Sequence, residues 1–428
     1  MRFWYAVWVP KDRTQQYQRR LADPILASRL ETFPAVMLTG PRGSGKTTTA
    51  ARHVAQVIRL DEPARAEAFR ADPDAALRRT DEPVLLDEWQ EVPEVLGAVK
   101  RAVDGEARPG RFLLTGSVRA QLDQQMWPAT GRVVGLTMYG LTEREVEGLS
   151  GSPGANFIDK LRSGDPDAFE MPADVPDLPG YLALALRSGF PQPALYLKAE
   201  EDRSVWLDSY LDQLLTRDAA SISPRRDPVR LRRYFETLAA STAGAPTDST
   251  LYDAVGIDAK TATAYSSLLA ALLVYETVPS FGHNRLSRLA RLAKRYIVDA
   301  GLVASALKVG VDEILGDADL LGRFFDTFAV TQLRPEVALA PRAQHLFHLR
   351  DRNGRHEIDL IVDLGHVGVV AIEFKATSAP KPADARHLDW LRDRLGSRFI
   401  AGAVLHAGPA IYQLGDRVLA VPLCAVWA

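Results

Sequence analysis

Eight residues constrain this chain more than any others: Gly40-Pro41-Arg42-Gly43-Ser44-Gly45-Lys46-Thr47, directly after the apolar run Ala35-Val36-Met37-Leu38. The order is a buried strand, a glycine-rich turn and a helical stretch from Lys46 to Arg52. Glycine reaches backbone conformations closed to other residues, so successive N–H groups of such a turn can point inward at one anion. A helix starting there adds partial positive charge. In this spacing Lys46 reaches the β- and γ-phosphates of a nucleoside triphosphate, and Thr47 holds Mg²⁺. The residues expected to cradle the nucleotide are Gly40, Pro41, Arg42, Gly43, Ser44, Gly45, Lys46, Thr47 and Thr48, with ATP and Mg²⁺ as the implied ligands.

A second apolar run, Val84-Leu85-Leu86, ends in Asp87-Glu88. A carboxylate at the end of a buried strand beside such a loop reaches Mg²⁺ through water, which assigns Asp87 to the metal. Its neighbour Glu88 is placed to deprotonate an attacking water. The next strand, Arg111 to Thr115, ends in Leu114-Thr115-Gly116-Ser117, whose hydroxyls would sit beside the γ-phosphate; a plain helix cap at Ser117 explains them too. Arg132, in Thr130-Gly131-Arg132-Val133, is the candidate for neutralising γ-phosphate charge, in cis or from a neighbouring subunit of a homo-oligomer.

Strand and helix signals alternate up to about residue 150, which predicts a parallel sheet covered by helices. Ser, Gly, Pro and Asp crowd together over Ser150–Gly180, so a linker or long loop is expected there. Helices are expected over Ala199–Thr216, with a Val205/Trp206/Tyr210/Leu214 stripe, and over Asp227–Ala240. Leu251–Val255, Gly256 and Ala259–Leu273 read as helix, turn and helix, flanked by strands at Val274–Pro279 and Lys294–Val298 as in a winged helix. After a helix at Leu320–Leu333, strands are expected at His345–Leu349, Glu357–Val362, Val367–Phe374, Phe399–Leu405 and Arg417–Pro422, with a helix at Ala383–Leu395.

The 428 residues are too many for one core, and about 150 per domain predicts two to four domains. A formal net charge of −2 excludes a strongly basic global field, so nucleic acid would have to be held by local patches. One such patch is Arg285, Arg288, Arg291, Lys294 and Arg295, although the helix Asp258–Tyr265 carries a single Lys for base reading. The single cysteine, Cys424, fits a reducing cytoplasm. No apolar run approaches the roughly 18 residues that span a bilayer, so no membrane association is expected. Met1–Pro10 lacks a basic start and a small-residue cleavage site, and reads as a short tail from an early start codon.

Taken in order, Gly40–Thr47, Asp87-Glu88-Trp89-Gln90, Leu114–Ser117 and Thr130-Gly131-Arg132 resemble a bacterial and archaeal AAA+ family of ATP-binding proteins with an AAA_14 ATPase module. The resemblance continues through Arg187–Pro191, Tyr210–Asp218 and Lys294–Leu302 into a C-terminal domain of unknown function, DUF4143, and covers roughly residues 17–420. Relatives often have Gly-Gly before Phe190 and Pro in place of Ala293. The fold class implied is α/β: a P-loop AAA+ ATPase domain with a parallel sheet over residues 17–150, after a tail at 1–16. A linker and helical region (151–240) and a winged-helix-like domain (241–302) lead to a C-terminal α/β restriction-endonuclease-like domain (303–428).

In that last domain Glu357-Ile358-Asp359 and Ile372-Glu373-Phe374-Lys375 stand on successive expected strands, with Glu373 and Lys375 on one face. Asp359 and Glu373 make a hard-cation site for Mg²⁺, and Lys375 could activate water. The pattern resembles the PD-(D/E)xK nuclease fold, in which a preceding helix often supplies a Glu; here Asp326 is the nearest match. A salt bridge between Lys375 and a carboxylate is the rival explanation for the same charges. Two functions follow. One is a Mg-ATP-hydrolysing ATPase that controls a DNA-acting, nuclease-like domain. The other is a nucleotide-dependent partner-binding protein whose nuclease-like fold does not cleave.

Overall fold

The computed structural model describes residues 17–117, 130–151, 156–223, 226–282, 292–340, 344–351 and 355–428. Met1–Pro10 and the arginines Arg285, Arg288 and Arg291 lie outside the described residues.

Short apolar runs build the first sheet: β1 (Ala35–Thr39), β2 (Gln56–Arg59), β3 (Val84–Asp87), β4 (Phe112–Gly116) and β5 (Val133–Thr137). The five strands are all parallel, in the order β2-β3-β4-β1-β5. Because alternate side chains leave a strand on opposite faces, Ala35, Met37, Leu86 and Leu114 enter one cluster and Val36, Leu38, Leu85 and Leu113 the other. The helix Val95–Gly105 covers the first face with Val95, Leu96, Val99 and Val103. The helix Ala22–Thr32 covers the second with Leu26 and Leu30. Every C-terminal strand end points to the same edge, which is where ligands bind in open parallel sheets.

The stretch expected as a linker is partly helical, with turns and irregular residues between its helical pieces. Helix Phe157–Ser163 lies within it and helix Leu178–Arg187 begins at its end, each with a short polar residue at its N-cap. Asn156 accepts from the Asp159 N–H at 2.9 Å and Asp177 from the Gly180 N–H at 2.8 Å. Short polar side chains serve turns and N-caps by the same hydrogen bond, so a stretch rich in them can hold helices as well as loops. The expected stripe on helix Glu200–Gln213 also shifts: Leu207 and Leu211 are buried, whereas Val205 is exposed. Beyond it, helix Asp248–Val255, a left-handed Gly256 and helix Ala259–Ala271 lead to antiparallel β6 (Tyr275–Val278) and β7 (Lys294–Ile297).

The C-terminal sheet contains β8 (His345–Arg350), β9 (Glu357–Asp363), β10 (Val369–Lys375), β11 (Phe399–His406), β12 (Tyr412–Gly415) and β13 (Val418–Pro422). Its order is β12-β13-β11-β10-β9-β8; β8, β9 and β10 form an antiparallel meander, and β11 and β13 continue parallel to β10. The helix Arg386–Leu395 covers one face through Leu388 and Leu391. On the other face Leu360, Val362, Val370 and Ile372 join one apolar cluster that runs from Phe157 to Trp427. The core therefore does not divide at residue 302. The helix Ala318–Ala338 lies in that cluster and binds the middle region to the sheet. No helix among the described residues is long and apolar enough to cross a membrane.

Candidate functional site

The glycine-rich loop leaves β1 at the C-terminal edge of the first sheet. Gly40 passes so close to β5 that a Cβ there would lie 2.2 Å from the Met138 carbonyl oxygen. Gly43 and Gly45 have φ of 75° and 91°, the left-handed region that favours glycine. Lys46 is buried, and its Nζ donates to the carbonyl oxygens of Gly40 (3.0 Å) and Pro41 (2.9 Å), so the ammonium lies across the loop it would share with phosphate. Burial pushes that ammonium down to about 8, against the pull of Glu88 and Asp87.

Asp87 ends β3 and is buried. Thr47 Oγ1 donates to its Oδ1 at 2.8 Å, and the Thr115 hydroxyl donates to the same oxygen. Three hard oxygens from three elements thus meet at one point. The Ser44 hydroxyl is buried in the loop without a hydrogen-bond partner. An orphaned buried hydroxyl, a cradle that a Cβ would fill and a hard oxygen cluster fit a Mg²⁺-bound triphosphate. Glu88 follows in a left-handed conformation (φ 54°), with its carboxylate held by the Gln90 amide. Ser117 is buried beside Arg42 and Gln90, Thr48 is exposed, and its neighbour Thr49 accepts from the Tyr17 hydroxyl at 3.1 Å.

Arg132 is placed elsewhere. It precedes β5, at the opposite end of the sheet from the loop, and pairs with Asp104 at 2.8 Å on the surface. At about 3.3 Å per residue, the five-residue strand puts roughly 16 Å between them, so a cis approach is corrected.

Sequence reasoning missed the residues that enclose the loop. Arg20 is buried, pairs with Glu145 at 2.9 Å and donates to the Ser44 carbonyl oxygen at 2.8 Å. From the middle region Tyr210 donates to the Arg42 carbonyl oxygen (3.0 Å), while Asp218 pairs with the Arg42 guanidinium (2.6 Å). Phe190 and Trp206 lie 4.7 and 5.2 Å from the Tyr210 ring, and Phe190 and Tyr210 both border Gly43. Two π-helical turns, Gln192–Tyr196 and Leu214–Asp218, flank this contact, and such turns recur at functional sites.

The second cluster lies where the meander meets the middle region. Asp359 (β9) and Glu373 (β10) come together on antiparallel strands, as expected, and Asp326 joins them from the helix Ala318–Ala338. They line a cleft of about 620 Å³ with Lys375, Arg323, Arg350 and His387. Lys375 stays half-exposed, 3.9 Å from Glu373. The cation between the acids is Lys294, whose Nζ donates to Asp326 Oδ2 at 2.8 Å and Asp359 Oδ1 at 2.7 Å.

Lys294 is buried, and Arg295 pairs with Asp248, so neither is available for the phosphate contacts expected of the basic run. Alternation along Lys294-Arg295-Tyr296-Ile297 puts Lys294 and Tyr296 on one inward face, the signal that could have revealed this. Burial would raise the Asp359 carboxyl, but the Lys294 charge and hydrogen bonds from Glu373, Lys294 and the Phe374 N–H bring it down to about 2. Burial and the Asp359 charge push Glu373 far up. With an ammonium seated between Asp326 and Asp359, these residues as placed do not fit a divalent cation.

The first sheet and its loop define a P-loop ATPase domain. Family profiles agree: residues 32–147 match an AAA domain, 321–426 a domain of unknown function (DUF4143) and 179–313 another domain of unknown function (DUF8612). The chain therefore carries an AAA domain followed by a DUF4143 domain. It is 29% identical over 411 residues to the uncharacterized proteins Mb2031c of Mycobacterium bovis and Rv2008c of Mycobacterium tuberculosis, covering 95% of this chain and 83% of each relative. Among solved structures, the Walker-type ATPase PABY2304 of Pyrococcus abyssi is 17% identical with a TM-score of 0.44, covering 71% of this chain and 99% of that one. The ORC1 protein of Aeropyrum pernix, solved in complex with DNA, is 14% identical with a TM-score of 0.30, covering 72% and 97%.

Proposed function

We propose that this chain is a Mg-ATP-hydrolysing switch whose nucleotide state is passed through the middle region to a C-terminal domain that acts on DNA. The observation that carries the ATPase reading is the convergence of Lys46, Thr47, Asp87 and Thr115 on one loop at the C-terminal edge of a parallel sheet. In this reading Lys46 gives up the Gly40 and Pro41 carbonyl oxygens and pairs with the β- and γ-phosphates. The loop N–H groups and the Ser44 hydroxyl receive phosphate oxygens. Thr47 and Asp87 hold Mg²⁺, which when bound supplies charge neutralisation across the phosphates. Glu88, released from Gln90, takes the proton of the attacking water, and Thr115 and Ser117 orient the γ-phosphate end.

The DNA-acting part rests on the resemblance of the Asp359/Glu373/Lys375 pattern to a nuclease and on the cleft those residues line. The rival reading, a nucleotide-dependent binder that does not cleave, is favoured by one observation: Lys294 bridges Asp326 and Asp359. No hydrolytic step is derived through a metal there. Phosphate release by wild type, Lys46→Ala and Glu88→Gln tests the first half. Plasmid and linear DNA incubated with Mg²⁺ or Mn²⁺, with and without ATP, tests the second. Intact DNA under every condition selects the binder.

A further inference from the structure

The acidic cleft holds a lysine at the point where its carboxylates converge. Lys294 lies on β7, in the middle region, whereas Asp326, Asp359 and Glu373 belong to the helix and meander of the C-terminal domain. Tyr296, two residues on along the same strand, donates to Asp326 Oδ1 at 3.0 Å. Glu373 is 3% exposed, lines the cleft, and leaves Oε1 without a hydrogen-bond partner. Burying an ion pair is costly, and leaving a buried carboxylate oxygen unmet adds to that cost. Apolar side chains of similar volume often stabilise such a position as well or better, so stability alone is a weak reason for these charges.

We infer that Lys294 is a tethered counter-ion that keeps divalent cations out of the Asp326–Asp359–Glu373 site, and that withdrawal of β7 opens it. The use to which an opened site is put rests on the hydrolytic reading above; the exclusion of cations does not. β7 is also linked to the nucleotide loop through a chain of side-chain contacts. It runs into Asp299, whose Oδ2 accepts from the Ser188 hydroxyl (2.9 Å) and the Gly189 N–H (2.8 Å). The next residue, Phe190, packs against Tyr210 with its ring tilted, and both rings border Gly43 in the loop. A rearrangement of the loop as it takes up phosphate displaces these rings, and the displacement reaches Lys294 through Asp299. The element with two states is the ammonium itself, engaged with or withdrawn from the two carboxylates.

The test counts Mn²⁺ bound per chain, by equilibrium dialysis of the full-length protein without nucleotide. Lys294→Met should gain one Mn²⁺ relative to wild type, Lys294→Arg should gain none, and adding Glu373→Gln to Lys294→Met should remove the gain. Equal stoichiometry in wild type and Lys294→Met overturns the inference. Should Lys294→Met fail to fold, wild type alone decides, through acetylation of Lys294 followed by mass spectrometry. Labelling should be blocked without nucleotide and should rise when Mg²⁺ and a non-hydrolysable ATP analogue are added; unchanged labelling overturns the withdrawal. A variant that gains Mn²⁺ yet leaves DNA intact overturns the hydrolytic reading and leaves the counter-ion in place.

Discussion

Gly40→Ala is the sharpest perturbation the loop offers, because its cost can be worked from one contact. The new Cβ would stand 2.2 Å from the Met138 carbonyl oxygen, 3.2 Å from the carbon of that carbonyl and 3.2 Å from Ser44 Oγ. A methyl carbon and a carbonyl oxygen need a little over 3 Å, so about 1 Å must be relieved. The obstacle is backbone, not the end of a flexible side chain. Relief therefore means parting β1 from β5 at their C-terminal ends, where the Met138 N–H donates to the Thr39 carbonyl oxygen at 2.7 Å. Overpacking costs about 1–3 kcal/mol and the lost hydrogen bond about 1 kcal/mol, roughly 2–4 kcal/mol together. For a domain of this size that lowers Tm by roughly 5–15 °C. Thermal unfolding and titration with a fluorescent ATP analogue should both report the damage. Gly131→Ala is the control, since its φ of 79° strains any side chain but nothing lies within 4 Å of the added Cβ. If Gly40→Ala unfolds no earlier than Gly131→Ala and binds the analogue as tightly as wild type, the close passage of the loop over β5 is refuted.

Glu88→Gln should bind ATP normally and hydrolyse it at least ~100-fold more slowly, as measured by phosphate release, the scale of a lost general base. ATP affinity should be flat below neutrality and weaken above pH 8. The phosphates pair with protonated Lys46, and protons leave that buried ammonium near pH 8 instead of at 10.5; each pH unit beyond costs at most about tenfold. An affinity that strengthens with pH would contradict this assignment of Lys46. Tyr210→Phe removes one hydrogen bond to the loop while keeping the ring stacked on Trp206, so calorimetry should find a loss of about 0.5–1.5 kcal/mol. Arg132→Ala breaks an exposed, solvent-screened pair with Asp104 and should leave hydrolysis unchanged in a monomer. A defect that grows with protein concentration would instead place Arg132 in a neighbouring subunit's site.

The parts of the fold that could be read from sequence are those whose physics is local. β1, β3 and β4 are buried on both faces and spell continuous apolar runs, and the loop between β1 and its helix announces itself by glycine spacing. β2 (Gln56–Arg59) and β5 (Val133–Thr137) escaped because they are edge strands, only partly covered, whose apolar runs are interrupted. Lys294 illustrates the harder limit. As a charge next to arginines it reads as a solvated face. It becomes a buried bridge only because Asp326 and Asp359, 32 and 65 residues away, are folded onto it. The enclosure of the loop by Phe190, Tyr210 and Asp218 is likewise a product of tertiary contact. An aromatic stripe on helix Glu200–Gln213 was visible, but not what it faces.

Isothermal calorimetry of Mg-ATP binding to wild type and Lys46→Ala tests the central claim most directly. One ATP should bind per wild-type chain, and binding should be lost in the variant while its thermal unfolding stays cooperative. Equal binding by the two proteins, or no binding by wild type, would contradict the account of the loop as the seat of the switch.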